Sequence, residues 1–456
     1  MTPSIWAAIS NAFTPFDPVP PNKLDQWFVE RPSGTVEYLL RILSPERLPR
    51  RHILVGQLAS GKSSELTQLA AELKQRYDAL VVRFDMTDHT DVERANPVEV
   101  LFLMGVAIFK VAETELPEDR KPDRRLLEQL KAGLETLVRT HTDNKEYSVN
   151  LDKLLSGLLV FGGAHIAGPV GAALGAAVSP TLIQTVKDIA KEHLPFRFTS
   201  GTNTQTVRKL EVEPQVEGMV EALNEIISDV QSKTDRFLVL LVDGLDKLRE
   251  VDVISLNFLE KKFLSGPQCR VLYTGPLDLY YSPQFSEVRT RFPILPFSHV
   301  KLRDRDTPNK RDDQGYQFMR SVVHKRLSSL GLKPETVIAP EALELLIQGS
   351  GGVMRDLIRL VQSSALQAEI KNEDRIELPA ARKALNELRR QLLAQLDPDY
   401  HEVLNAVRKT HQRVGGEDQG KKCDQLLRND IVLGYINDTN DDIWFDAHAA
   451  LTTEPW

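Results

Sequence analysis

Four predominantly apolar runs occur in the first 300 residues of the chain and predict buried strands. These runs lie at residues 52–55, 79–85, 237–243 and 270–276. The run before Asp243 has six apolar residues in a row, which is typical of a central parallel strand buried on both faces. Between the runs, residues 65–73 and 216–230 have apolar positions at helical spacing. This alternation predicts an α/β fold: a three-layer core around a parallel sheet with right-handed crossovers.

Helical spacing dominates the C-terminal half. It predicts helices over Tyr316 to Leu330, Pro340 to Gln348, Gly352 to Ile370 and Leu378 to Leu396, with Pro340 in a first turn as helix caps favour. The last 60 residues predict further helices and then two short apolar runs that suggest a winged helix with a hairpin wing. We therefore predict four segments: an N-terminal segment (1–50), an α/β core (51–305) with an apolar, glycine-rich insertion at about 110–210, a helical segment (306–396), which we call the lid, and a winged-helix-like domain (397–456).

Residues 56–63 read Gly-Gln-Leu-Ala-Ser-Gly-Lys-Ser, the complete GxxxxGK[ST] pattern of a phosphate-binding loop (P-loop) between a strand and a helix. The loop amides and the helix N-terminus surround an anion, Lys62 reaches the β- and γ-phosphates, and the Ser63 hydroxyl holds Mg²⁺. We therefore predict ATP and Mg²⁺ as cofactors. The predicted nucleotide contacts are Gly56, Gln57, Leu58, Ala59, Ser60, Gly61, Lys62, Ser63 and Ser64.

A second half of the site is predicted where the apolar run 237–242 ends in Asp243, because ligands gather at the carboxyl ends of parallel strands. Asp243 is the expected second Mg²⁺ ligand. The sequence Asp243-Gly244-Leu245-Asp246 resembles the Walker B segment of STAND NTPases, a signalling branch related to AAA+ ATPases. That resemblance implies slow hydrolysis with Asp246 positioning the attacking water. A helix N-cap is the alternative role for Asp246.

Further segments also resemble AAA+ and STAND ATPases, and the resemblance implies roles for four residues. Thr274 matches the polar position of the sensor-1 strand. Arg291, or second to it Arg289, matches the arginine finger that reaches a neighbouring subunit, with a solvated surface arginine as the alternative. The sequence Ser350-Gly-Gly-x-x-Arg355 resembles the lid of the origin-recognition branch, where the arginine is sensor 2. Arg31 lies in an N-terminal stretch resembling the segment near the adenine and is a further predicted nucleotide contact.

Composition and charge argue against nucleic acid as a binding partner and indicate a cellular location. The formal net charge is -7 and the pI about 5.9, which does not suggest a protein that coats nucleic acid. From residue 397 onward, 12 Asp and Glu face six Lys and Arg, a net of about -6, so DNA binding by this segment is disfavoured. The two cysteines, far apart in sequence, and the absence of a signal-peptide pattern at the start fit a cytoplasmic location.

The 33 residues from Leu154 to Val186 contain no Asp, Glu, Lys or Arg. One membrane span is excluded because Lys62 and Asp243 must meet on one side, and two spans need about 40 residues. A buried helical hairpin, a self-association surface and a membrane-inserting element remain open. KAP-type NTPases, which carry membrane helices within the P-loop domain, resemble the last arrangement.

The resemblance to AAA+/STAND ATPases implies three functional hypotheses. The first is an ATP-gated assembly or signalling switch that forms a homo-oligomer and acts on a protein partner or effector, as in prokaryotic stress or antiviral defence. The second is an initiator-like or transposition-regulator ATPase that binds DNA. The third is a membrane-associated, KAP-like effector that uses Leu154 to Val186.

Overall fold

The computed structural model describes residues 3–48, 50–86, 97–141, 209–247, 263–281, 285–305, 307, 310–437 and 442–452 of the 456-residue chain. The apolar stretch Leu154 to Val186, with its three interpretations, lies outside these residues. Within the described ranges, no helix combines the length and the apolar character that crossing a membrane requires.

A five-stranded parallel sheet forms the core, and it confirms the predicted α/β fold. Its strands are β1 (Arg51–Gly56), β2 (Leu80–Asp85), β3 (Leu238–Asp243), β4 (Arg270–Gly275) and β5 (Ile294–Phe297), in the order β2-β3-β4-β1-β5. Every residue of β3 and β4 is buried, as expected for central strands covered on both faces. The register of β2 against β3 pairs Asp85 with Asp243 at the carboxyl ends of the two strands.

Eight helices of the described residues precede or interrupt the sheet. They are α1 (Pro3–Ala12), α2 (Leu24–Trp27), α3 (Thr35–Ile42), α4 (Lys62–Tyr77), α5 (Pro97–Glu115), α6 (Arg124–His141), α7 (Lys209–Ser232) and α8 (Phe285–Val288). Helices α5, α6 and α7 pack against one another, and residues 100–109 of α5 are all buried. This packing accounts for the long apolar face of α5.

The C-terminal half is helical, as the spacing predicts. It contains α9 (Asp313–Ser328), α10 (Pro334–Val337), α11 (Pro340–Gly349), α12 (Met354–Ile370) and α13 (Leu378–Leu393). The four predicted helices are found with ends displaced by less than one turn, and the short helix α10 was not predicted. The turn before α12 needs its glycines: Gly351 and Gly352 have φ of 59° and 81°, and a Cβ on Gly352 would clash with the carbonyl of Val300.

Two helices and a hairpin end the chain. Helices α14 (His401–Thr410) and α15 (Glu417–Arg428) precede the antiparallel strands β6 (Val432–Ile436) and β7 (Ile443–Ala447). We call β6 and β7 the C-terminal hairpin. The order of helices and hairpin agrees with the prediction, whereas the assignment to the winged-helix class stays a prediction.

The chain divides into two compact units that cut across the predicted segments. The first unit comprises Met1–Leu39, Val55–Leu69 and Pro296–Trp456, and the second comprises Leu40–Leu54 and Ala70–Leu295. The first unit therefore contains the phosphate-binding loop, the helical half and the C-terminal hairpin. The second contains β2, β3, β4 and helices α5 to α7. The predicted four-segment division stays a prediction.

Candidate nucleotide-binding site

The phosphate-binding loop runs from the last residue of β1, Gly56, to the first residue of α4, Lys62. The first hydrogen bonds of α4 run from the N–H groups of Ser64 and Glu65 to the carbonyl of Gly61 (3.1 and 3.2 Å). The amides of Lys62 and Ser63 come before these bonds, so they are the helix N-terminal donors that bind anions in such loops. Gly61 has φ of 103°, which a side chain rarely tolerates.

The ammonium of Lys62 is buried and is bonded to the loop itself. It donates to the carbonyls of Gly56 (2.9 Å) and Gln57 (2.6 Å) and lies 3.4 Å from the Ser60 hydroxyl. The Ser60 hydroxyl also donates to the Gln57 carbonyl at 2.8 Å. The Lys62 charge therefore lies against the carbonyls at the start of the loop, and a phosphate must compete with these carbonyls for the ammonium.

The side chain of Gln57 joins the loop to the C-terminal hairpin. Its amide nitrogen donates to the carbonyls of Leu427 (2.8 Å) and Val432 (2.7 Å), and its amide oxygen accepts from the N–H of Gly434 (2.6 Å). Gln57 is buried. Three hydrogen bonds from one buried amide side chain, all to backbone, fix the hairpin against the loop.

Apolar packing supports the same junction. Ala59, at φ of 59°, packs against a buried cluster of Val353, Leu433, Tyr435 and Trp444. Within the first unit, the loop therefore contacts both the hairpin and the segment that opens α12.

Hydrogen bonds tie the hairpin to the glycine turn of the lid as well. The hydroxyl of Tyr435 donates to the carbonyl of Gly351 at 2.7 Å, and the N–H of His299 donates to the carbonyl of Gly434 at 3.2 Å. The hairpin thus contacts both the phosphate-binding loop, through Gln57, and the glycine turn before α12, through Tyr435. No local sequence pattern predicts this junction, because Gln57 and its partners are about 370 residues apart.

Arg31 is buried and contacts the backbone of the phosphate-binding loop and the first turn of α4. Its Nε is 3.2 Å from Oε1 of Glu65, its Nη1 donates to the carbonyl of Ser298 at 3.1 Å, and its Nη2 donates to the carbonyl of Ser60. Its guanidinium lies over the ring of Phe297, 4.3 Å from the ring centroid. The predicted contact residue Arg31 is thus brought to the loop, and its partners there are protein groups.

Glu65 is a buried acid that the sequence analysis missed. Burial raises its pKa to about 7, and the charge of Arg31 opposes this rise. Burial likewise lowers the pKa of Arg31, against the pull of Glu65. A sequence signal was available: Glu65 lies four and eight residues before Leu69 and Leu73, which places it on the apolar face of α4.

The remaining predicted loop residues lie beside these. The Ser64 hydroxyl accepts a hydrogen bond from the N–H of Val19 (3.0 Å), so it ties the N-terminal segment to α4. The Ser63 carbonyl accepts from the Thr67 hydroxyl at 2.9 Å. Leu58 is half-buried.

In the second unit, Asp243, Asp246 and Thr274 come together at the carboxyl ends of β3 and β4. The Thr274 hydroxyl lies 3.3 Å from Oδ1 of Asp243 and 3.2 Å from Oδ1 of Asp246, and it accepts a hydrogen bond from the N–H of Gly244 at 3.0 Å. All three side chains are buried. Asp246 lies in a 3₁₀ turn, Leu245–Lys247.

Two cations accompany these acids. An Arg83 nitrogen lies 3.7 Å from Oδ2 of Asp243, and the Lys247 ammonium lies 2.5 Å from Oδ2 of Asp85. Burial alone would lower the pKa of Lys247, but the carboxylates of Asp85, Asp243 and Asp246 raise it, and the net shift is upward. Neither Arg83 nor Lys247 was singled out from the sequence.

The three arginines predicted for the finger and for sensor 2 lie near helix ends. Arg291 follows α8, is half-buried and donates its N–H to the carbonyl of Val288 at 2.9 Å, while Arg289 is exposed. Arg355 is the second residue of α12, and its Nε is buried without a hydrogen-bond partner among the described residues. A buried guanidinium N–H without a partner is costly, so Arg355 is suited to a ligand that supplies one.

The donor set for Mg²⁺ has the character expected of a nucleotide-borne ion. In the part of the chain that the structure describes, no group of three or more His, Cys, Asp or Glu could hold a metal alone. Mg²⁺ is commonly bound by one or two carboxylates together with substrate phosphates. The assignment of Ser63 and Asp243 as the Mg²⁺ ligands stays a prediction.

Comparison with known proteins gives structural likeness only. No family model matches the chain, and no curated protein matches it. Among solved structures, the chain is similar to the Aeropyrum pernix Orc1 protein in complex with DNA (12% identity, 97% of this chain and 94% of that chain, TM-score 0.43). It is also similar to Drosophila ORC bound to DNA (12% identity, 98% of this chain and 90% of that chain, TM-score 0.40). A third similar structure is the Thermotoga maritima RuvB branch-migration motor (16% identity, 51% of this chain and 80% of that chain, TM-score 0.26).

Proposed function

We propose that the chain is an AAA+-type P-loop ATPase that binds ATP with Mg²⁺ and hydrolyses it slowly. The loop of residues 56–63 carries the proposal, because it joins a buried strand to a helix that begins at Lys62. In that arrangement, helix N-terminal amides and a lysine ammonium converge on an anion.

Phosphate binding shifts the Lys62 ammonium from the carbonyls of Gly56 and Gln57 to the phosphate oxygens. A charged phosphate oxygen attracts an ammonium more strongly than a neutral carbonyl oxygen does, because full opposite charges interact. Ser63 and Asp243 hold the Mg²⁺ that accompanies the nucleotide, and this ion neutralises charge on the phosphates. The position of Asp243 at the carboxyl end of the buried strand β3, beside Thr274, supports its role.

Three more residues have proposed roles in hydrolysis. Asp246 positions the attacking water, and its contact with Thr274 beside Asp243 supports this role. Arg355 binds the γ-phosphate from the lid, and its buried Nε, which has no hydrogen-bond partner among the described residues, supports this role. Arg291 reaches the nucleotide of a neighbouring subunit in a homo-oligomer.

Phosphate release from ATP tests the hydrolysis proposal. We expect slow turnover by the wild type, loss of turnover in Lys62→Ala, and a fall of about a hundredfold in Asp246→Asn, because a water-positioning carboxylate contributes on that order. Lys421→Ala, which alters an exposed lysine of α15, serves as the matched control and retains wild-type turnover. Turnover by Lys62→Ala equal to that of the wild type would contradict the proposal.

The nucleotide state acts on the C-terminal hairpin through Gln57. The Gln57 carbonyl accepts from Lys62, and the Gln57 side chain is bonded to the hairpin, so one residue contacts both. When Lys62 turns to a phosphate, the loop carbonyls lose a partner and the hairpin contacts rearrange with them. This coupling supports a nucleotide-gated switch whose output is self-assembly or a protein partner, with signalling in stress or antiviral defence as its proposed setting.

An initiator-like ATPase that binds DNA is the second candidate, and the comparisons fit it better than the assembly role. The Aeropyrum Orc1 and Drosophila ORC structures were solved with DNA. DNA thus returns as a candidate partner despite the acidic composition of residues 397–456. The membrane-associated alternative depends on Leu154 to Val186, outside the described residues, and liposome flotation with and without this stretch tests it.

Fluorescence anisotropy with a labelled DNA duplex separates the two outputs. The DNA candidate predicts binding that requires ATP and weakens steeply as salt rises. If no binding occurs at low salt with ATP, the DNA candidate is eliminated. The assembly output then predicts a larger sedimentation coefficient with ATP than without it, and an unchanged coefficient would contradict that output.

A further inference from the structure

We infer that Arg31 is a positioning residue of the phosphate-binding loop, which orients the Gly61 amide toward the phosphate by holding the carbonyl of Ser60. The inference rests on the proposed function, because it concerns the same loop. It differs from the sequence interpretation, in which Arg31 touches the nucleotide itself.

The contacts of Arg31 place its guanidinium against the loop backbone. One Nη donates to the carbonyl of Ser60 and the other to the carbonyl of Ser298, while Nε faces Glu65. A Cβ added to Gly61 would lie 3.1 Å from Arg31 Nη2, so the guanidinium is packed directly behind this glycine. All three edges of the guanidinium are thus turned to protein groups.

Peptide geometry converts this contact into an orientation of the loop. The C=O of Ser60 and the N–H of Gly61 belong to one planar trans peptide, so they point in opposite directions. A carbonyl held by Arg31 therefore turns the Gly61 N–H away from Arg31. Gly61 directly precedes Lys62, so this amide belongs to the anion-binding stretch of the motif.

Aromatic rings fix the guanidinium plane in place. Arg31 lies over Phe297, 4.3 Å from the ring centroid, and 5.7 Å from the centroid of Phe318. These rings come from the end of β5 and from α9. A planar guanidinium stacks and donates along fixed directions, whereas a lysine ammonium does neither. The position therefore requires arginine rather than positive charge alone.

Glu65 offers a competing explanation, in which Arg31 does no more than neutralise a buried acid. The two side chains are 7% and 4% exposed, and Oε2 of Glu65 has no hydrogen-bond partner among the described residues. Removing Arg31 alone would leave the buried acid Glu65 without its cation, and this would destabilise the folded protein whether or not Arg31 positions the loop. A test must therefore remove the acid together with the arginine.

ATP affinity, measured by calorimetry with Mg²⁺, separates the two explanations in Arg31→Met, Glu65→Gln and the double variant. Removing a charged donor from a carbonyl costs on the order of tenfold in a linked equilibrium. We expect Glu65→Gln to bind ATP within about twofold of the wild type, since its role is structural. Arg31→Met and the double variant are both expected to bind about tenfold more weakly, although the double variant regains most of the melting temperature that Arg31→Met loses.

Two further variants complete the design. Arg31→Lys keeps the charge beside Glu65 but cannot reach Ser60 and Ser298 together, so it is expected to bind ATP as weakly as Arg31→Met. Arg76→Met breaks the exposed Arg76–Glu72 pair on α4 and is expected to bind ATP as the wild type does.

Wild-type affinity in the double variant or in Arg31→Lys would overturn the positioning role and leave the proposed function intact. Failure of the wild type itself to bind ATP would overturn both.

Discussion

At the scale of single residues, the carboxyl of Glu65 links the candidate site to the stability of the protein. Burial raises its pKa from 4.5 to about 7, with Arg31 opposing the rise. Between these pH values the folded chain holds a proton that the unfolded chain has lost. The free energy of unfolding therefore falls as the pH rises through this window. The stabilisation that comes from the proton on Glu65 is fully present only below about pH 4.5.

Glu65→Gln removes that titration. Between pH 5 and 7, we expect the wild type to lose about 2 kcal/mol more unfolding free energy than the variant, since a pKa unit corresponds to about 1.4 kcal/mol. Urea unfolding at pH 5, 6 and 7 measures the difference. Glu417→Gln, at a carboxyl that is 93% exposed, is the control and retains the wild-type slope. Equal pH slopes for the wild type and Glu65→Gln would contradict a raised pKa.

At the scale of elements, the sequence predicts what depends on local pattern. The strand ending at Asp243 is identified from its apolar run because a strand covered on both faces needs no alternation. Helices α11 and α13 begin where predicted because Pro340 and Pro379 lie in their first turns and apolar residues follow at helical spacing. The charged contacts of Arg31 and the junction of Gln57 with Gly434 depend on chain segments brought together by folding, and periodicity does not encode them.

The C-terminal hairpin is the element that should respond to nucleotide. In the wild type, we expect ATP to change amide hydrogen exchange in β6, because Lys62 and the hairpin share Gln57. Gln57→Glu keeps the acceptor for Gly434 but cannot donate to Leu427 and Val432, so its hairpin should exchange faster even without ATP. Gln68→Glu, on the same loop-following helix, is the control. If ATP leaves β6 exchange unchanged in the wild type, the coupling is wrong.

At the scale of the whole molecule, the chain divides into two compact units. The first unit contains the phosphate-binding loop and Arg355, and the second contains the acids Asp243 and Asp246. A parallel α/β core was predictable from the apolar runs that end at Val55 and Val242. The division into units was not, because it separates β1 within its own length and assigns the loop to the helical half.

Calorimetric titration of ATP with Mg²⁺ into the wild type and Lys62→Ala tests the central claim most directly. We expect one ATP bound per wild-type chain and per Lys421→Ala chain. The affinity of Lys62→Ala should be lower by about a hundredfold, equal to about 2.7 kcal/mol. The absence of binding by the wild type, or equal affinity in Lys62→Ala, would contradict the central claim.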